Sequence, residues 1–191
     1  ALSVEHADPV HRISIIPRAV GAIGYTLQLP LHEKYLLTKP EIEDRIAVML
    51  AGRAAEEIIY NGVISTGAAN DLERVSELVR QAVTRFGMSE QLGPLTWGAP
   101  AEPRFLRTSF GAEQRNYSER TAQLIDDEVR RVVEEAYARA KRILTERRAE
   151  LERIATELIR KETLDRSELD RLLSSSPLAT TAPARNRSAG S

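Results

Sequence analysis

The spacing of apolar residues changes near residue 38, and that change constrains the fold more than any other feature of the chain. Before it, apolar positions alternate: Ile13 and Ile15 in "RISIIP", then Tyr25, Leu27 and Leu29 in "GYTLQLP". Period two predicts two short strands, ended by Pro17 and Pro30, with "RAVGAIG" as the connection. After it the period is helical. Thr38 is a good N-cap, and Pro40 and Glu41 suit a first turn, so a helix is expected from about Pro40 to Tyr60, stopped at Asn61-Gly62. Its apolar residues cover most of the circumference, which predicts a buried central helix.

A second helix is expected from near Gly67 to Phe86, with Gly87 closing it. A third starts at Ser118 and reaches about Leu144, with Leu124, Val129, Val132, Ala136, Ala140 and Ile143 as its stripe. A fourth runs from about Ala149 to Lys161, and "LDRSELDRLL" reads as a short last helix. Residues 88–117 are punctuated by Gly and Pro and are long for a plain connection. From Ser174 the chain has almost nothing to bury, so 174–191 is expected to be a disordered tail. The expected fold is mostly α, with a small N-terminal β element and a C-terminal helical hairpin.

Composition narrows the chemistry. The chain has no cysteine, so a metal would have to be held by His, Asp or Glu. The histidines are His6, His11 and His32, and neither helical nor strand spacing puts His6 and His11 on one face. Each reads as a surface or structural histidine. H-E-x-x-H, G-x-S-x-G and a Walker loop do not occur in these residues. A net charge of -1 gives no argument for a nucleic-acid partner. No apolar run approaches the roughly 18 residues that span a bilayer.

Two acids lie on apolar faces. In "STGAANDLERV", Asp71 stands four residues before Val75 and seven before Leu78, on the stripe that continues through Val79 and Ala82. A helix cap, a partner for an arginine and a metal ligand are all open to it. Glu56 lies about 40° from Ile42 and about 20° from Met49 on the first helix. It reads either as a salt-bridged acid or as a supporting acid that orients a metal-bound histidine. Glu57 reads as the i, i+4 partner of Arg53.

"HADPVHRISIIPR", "GYTLQLP", "GRAAEEII" and "STGAANDLERV", taken with the long C-terminal helical segment, closely resemble the peptidase domain of the FtsH family, membrane-anchored ATP-dependent zinc metalloproteases. The resemblance covers about residues 1–173 in order. It implies a helical metalloprotease domain, with Asp71 as the third zinc ligand beside two histidines of an H-E-x-x-H helix. It implies that Glu56 supports the zinc site, and that Tyr25, Thr26 and Leu27 border the cleft where an extended substrate adds as a strand. It further implies polypeptide substrates, a homo-hexamer, and ATP bound by a separate ATPase domain. The setting it implies is the cytoplasmic side of the bacterial inner membrane, with membrane contact only through segments outside these residues.

The motif that would carry both histidines and the catalytic glutamate stands, in the family, just before the segment matching "ALSVEHADPVHRI". The expectation is therefore an N-terminally truncated peptidase domain without a catalytic residue of its own, inactive alone. The alternative is a non-catalytic helical module that oligomerises or binds unfolded chains.

Overall fold

The computed structural model describes residues 1–17, 24–29, 36–98 and 116–174. It is mostly α-helical and divides into two compact units. The first comprises Ala1–Ala7 and Glu33–Glu146, the second Asp8–His32 and Arg147–Ser191. The "RAVGAIG" connection through Ile23, Pro30, His32, the second half of the irregular segment and the tail from residue 175 fall outside the described residues.

The first unit is built on helix α1 (Lys39–Ile59), which packs against α2 (Ala69–Thr84) and α3 (Glu119–Glu146). Thr38 opens α1 as expected: the Glu41 carboxylate accepts from the Thr38 amide and hydroxyl, each at 2.8 Å. Ile42, Ile46, Ala47 and Leu50 of α1 meet Val75, Val79, Ala82 and Val83 of α2 and Ile125 and Ala136 of α3 in one core. Residues 85–98 return over it, burying Leu92 and partly burying Met88 and Trp97, and the Trp97 amide donates to the Thr84 carbonyl at 2.7 Å. Helix α2 ends two residues before Phe86, the end expected from the sequence, and the Phe86 ring is exposed. On α3, Ile125 is buried and Leu124 exposed, one position away from the expected stripe.

The second unit holds an antiparallel sheet in the order β2–β1–β3, from β1 (Val10–Ser14), β2 (Tyr25–Gln28) and β3 (Thr163–Asp165). Strand β1 pairs Arg12 with Leu27, Ile13 with Thr26 and Ser14 with Tyr25, and its register shifts between Val10 and Arg12. Val10 and Ser14 are buried, while Ile15, past the strand, is exposed. Helix α4 (Arg148–Lys161) ends on Glu162 at φ 62°, which turns the chain into β3 and then α5 (Arg166–Ser174). The Glu162 carbonyl accepts from the Ile15 amide and the Ser14 hydroxyl, fastening that turn to β1. Leu164 and Leu169 are fully buried. The expected C-terminal hairpin resolves into helices of different units: α3 packs on α1 and α2, α4 on β3 and α5.

Candidate metal centre

The site begins at the exit from α1. Asn61 and Gly62 both take positive φ, 51° and 91°, and reverse the chain. Two exposed residues, Val63 and Ile64, then lead to Ser65. Its extended backbone places Oγ to accept from the Gly67 amide at 3.1 Å, and this caps a single 3₁₀ turn, Thr66–Ala68. Helix α2 grows directly from that turn, so its own N-cap position, Ala68, has no side-chain cap.

Glu56 holds this entrance from below. Its carboxylate accepts from the Ser65 amide at 3.1 Å and from the Ser65 hydroxyl. Arg53 stands beside it, with Nη1 3.5 Å from Oε2. The Ser65 hydroxyl, then its amide, hold the Glu56 carboxyl below the ordinary range, with a smaller contribution from Arg53. Glu57, one residue on, faces a different way. It does not pair with Arg53; it accepts from the Tyr137 hydroxyl and from Lys141 Nζ at 2.8 Å, both on α3. Burial, then that hydrogen bond, push the Tyr137 hydroxyl up to about 12.

Asp71 sits in the first turn of α2, three residues past Ala68 and half-buried. It is not the cap; Ser65 caps the turn before it. Its carboxylate has no hydrogen-bond or ion-pair partner among the described residues. Among the described residues, the capping and arginine-pair readings of Asp71 therefore have no contact behind them. A half-buried carboxylate at the positive end of a helix, without a protein partner, is a fitting ligand for a hard or borderline cation. The described residues hold no group of three or more His, Asp or Glu able to bind a metal by themselves, so Asp71 fits one place in such a set and no more. His6 and His11 are exposed, and the His6 amide donates to Asp44 at 2.9 Å.

The structure brings Glu56 to Ser65, which caps the turn just before the helix that carries Asp71. It places Tyr25, Thr26 and Leu27 in the other unit, on β2, an edge strand of the sheet, with Thr26 and Leu27 exposed.

Three acids that sequence reasoning passed over, Asp44, Glu128 and Glu150, are buried, and Glu150 pairs with Arg147. Asp44 accepts from His6 and binds Arg139 at 2.6 Å; Glu128 accepts from the Ser89 hydroxyl at 2.9 Å and from Arg131 at 2.7 Å. Glu128 lies on the wall of a groove of about 540 Å³ between α1, the end of α2 and α3. Its i+3 arginine was a visible signal; the partner of Asp44 on α3 was not.

A helical domain that presents one unpartnered acid at a helix entrance, backed by a second acid that fixes the entrance, is what the geometry defines. The model of Peptidase family M41 matches residues 1–172, and the chain belongs to that family. It is 51% identical over 168 residues to the ATP-dependent zinc metalloprotease FtsH of Pseudothermotoga lettingae, covering 88% of this chain and 26% of that protein. Against the protein of the same name from Thermotoga maritima the identity is 47% over 171 residues, covering 90% and 28%, and against that of Methylococcus capsulatus it is 50% over 161 residues, covering 84% and 25%. The chain thus spans about a quarter of the length of these relatives.

Proposed function

We propose that this chain is the greater part of the peptidase domain of an ATP-dependent zinc metalloendopeptidase, and that Asp71 is one protein ligand of its zinc. The observation that carries the reading is Asp71 itself: half-buried, in the first turn of α2, without a hydrogen-bond or ion-pair partner among the described residues, and just past a turn already capped by Ser65. The other two ligands and the proton-accepting glutamate belong, in this reading, to an H-E-x-x-H helix that these residues do not include. When bound, zinc lowers the pKa of its water and polarises the scissile carbonyl. Asp71 would contribute charge and a fixed donor direction, and Glu56 would support the site from beside it. The edge of β2 at Tyr25, Thr26 and Leu27 would align an extended substrate through backbone hydrogen bonds.

The wider setting proposed from the resemblance, with the relatives' name in support, is polypeptide substrates, a homo-hexamer, ATP bound by a separate domain, and a place on the cytoplasmic side of the bacterial inner membrane. No helix among the described residues is long and apolar enough to cross a membrane, so membrane contact would come from other segments.

The test uses the complete protein with its H-E-x-x-H segment. Asp71→Ala is expected to abolish casein cleavage and stoichiometric zinc while the far-ultraviolet circular dichroism keeps its helical form. Ordinary cleavage by that variant would remove Asp71 from the metal.

A further inference from the structure

Resting on the reading of Asp71 as a ligand, we infer that Glu56 is a positioning residue that acts through Ser65, by fixing the 3₁₀ turn from which the Asp71-bearing helix starts. Both Glu56 oxygens are committed to Ser65: Oε2 to its amide and Oε1 to its hydroxyl. The same hydroxyl is spent a second time, accepting from the Gly67 amide. One carboxylate thereby sets the amide, the side chain and, through them, the turn. Helix α2 has no side-chain cap of its own, so the direction of its first turn is inherited from Ser65. Further along, α2 is held by buried Val75 and Val79. Asp71 lies between the two anchors, and its carboxylate, having no partner of its own, points where the turn sends it. Gly67 fits the arrangement: a Cβ there would stand 3.2 Å from Ser65 Oγ and 3.5 Å from Glu56 Oε1.

This differs from a role in which Glu56 touches a metal-bound histidine. In that case Ser65 would be a bystander. Here Ser65 is the intermediary, and the two residues act as one unit.

The experiment compares Glu56→Gln, Ser65→Ala, the double variant and Ser65→Thr in the complete, zinc-bearing protein, with Asp71→Ala as control. Glutamine offers one acceptor where Ser65 brings two donors, so the clamp is halved. Zinc affinity is read by competition with a chromogenic chelator. Amide exchange of the peptide spanning Ser65 to Asp71 is read by mass spectrometry on metal-free protein. The expectation is a loss of roughly tenfold in zinc affinity for Glu56→Gln and for Ser65→Ala, as for other residues that orient a ligand. The double variant should lose no more than either single one, and Ser65→Thr, which keeps the hydroxyl, should restore affinity. Both clamp variants should also speed exchange in the metal-free protein. Losses that multiply in the double variant, or Ser65→Ala with full affinity beside a weakened Glu56→Gln, would overturn the inference. Full affinity in Asp71→Ala would instead overturn the ligand assignment on which it rests.

Discussion

Asp44 and Asp71 are both aspartates of the first unit at least partly withdrawn from solvent, and the protein treats them in opposite ways. Asp44 is 1% exposed, and each oxygen is answered: Oδ2 by the His6 amide, Oδ1 by Arg139. Glu128, equally buried, is answered by Ser89 and Arg131. Removing such charges from water costs several kcal/mol each, which the pairing and hydrogen bonds offset. Asp71 is only half-buried and is answered by nothing among the described residues. Asp44 and Glu128 are saturated by the fold; on the reading proposed above, Asp71 is kept for a partner from outside it. The comparison makes stability and metal binding separable, and each variant below tests a different side of it.

The largest stability effect is expected at the saturated end. Asp44→Ala leaves Arg139 and the His6 amide without their acceptor. Because the Arg139 side chain is 37% exposed and reaches water, the loss should fall at the low end of the buried-pair range, about 3 kcal/mol in urea unfolding of the 191-residue chain. A loss below about 1 kcal/mol would mean that saturation is not what holds this acid in place.

Tyr137→Phe should cost less, about 1 kcal/mol, since Glu57 keeps Lys141. Its pH dependence has a defined sign. The folded Tyr137 hydroxyl titrates at about 12, above the ordinary 10.0, so the folded state holds that proton more tightly. The stabilisation is whole below pH about 10 and is lost as the pH rises toward about 12. In the phenylalanine variant that part of the alkaline loss should vanish, read as a flatter stability profile and one fewer late step in tyrosinate absorbance.

Asp71→Ala should change stability by no more than about 0.5 kcal/mol, because it removes a first-turn acid with no hydrogen bond or ion pair among the described residues. Destabilisation beyond about 1 kcal/mol would place Asp71 with Asp44 among the structural acids and dissolve the contrast.

Much of this was legible in the sequence, and the rest failed for identifiable reasons. Thr38, Pro40 and Glu41 announced α1 because a cap is a local device. Strand β3 went unread because "TLD" offers one apolar residue and pairs with β1 from far along the chain. On α3 the expected stripe holds at Val129, Val132, Ala136 and Ala140 and misses only at Leu124, because Leu124 and Ile125 are adjacent apolar residues near the helix start and only packing decides which of them is covered. Glu57 was given to Arg53 because i, i+4 pairs are visible in a sequence and Tyr137 and Lys141 are not. The bond from Glu56 to Ser65 spans nine residues across a turn, beyond helical periodicity. Asp71 was singled out by its face alone; that it lacks a partner required the fold.

The smallest expected effect is at Gly67. It has an unstrained backbone, so alanine there should gain roughly 0.4–1 kcal/mol from a stiffer unfolded chain. The added Cβ would meet Ser65 Oγ at 3.2 Å, closer than it rests comfortably, and the hydroxyl must yield by a few tenths of an ångström. Yielding lengthens its bonds to Glu56 and to the residue 67 amide together, since one oxygen makes both. The two contributions nearly cancel in global stability, and Gly67→Ala should move the unfolding midpoint little in either direction. They do not cancel locally: amide exchange across Ser65 to Asp71 should quicken while that of Val75 and Val79, deeper in α2, stays as before. Uniform slowing along the whole helix would show that the turn tolerates the methyl group without moving, and that the clamp on the Asp71 end is looser than its hydrogen bonds imply.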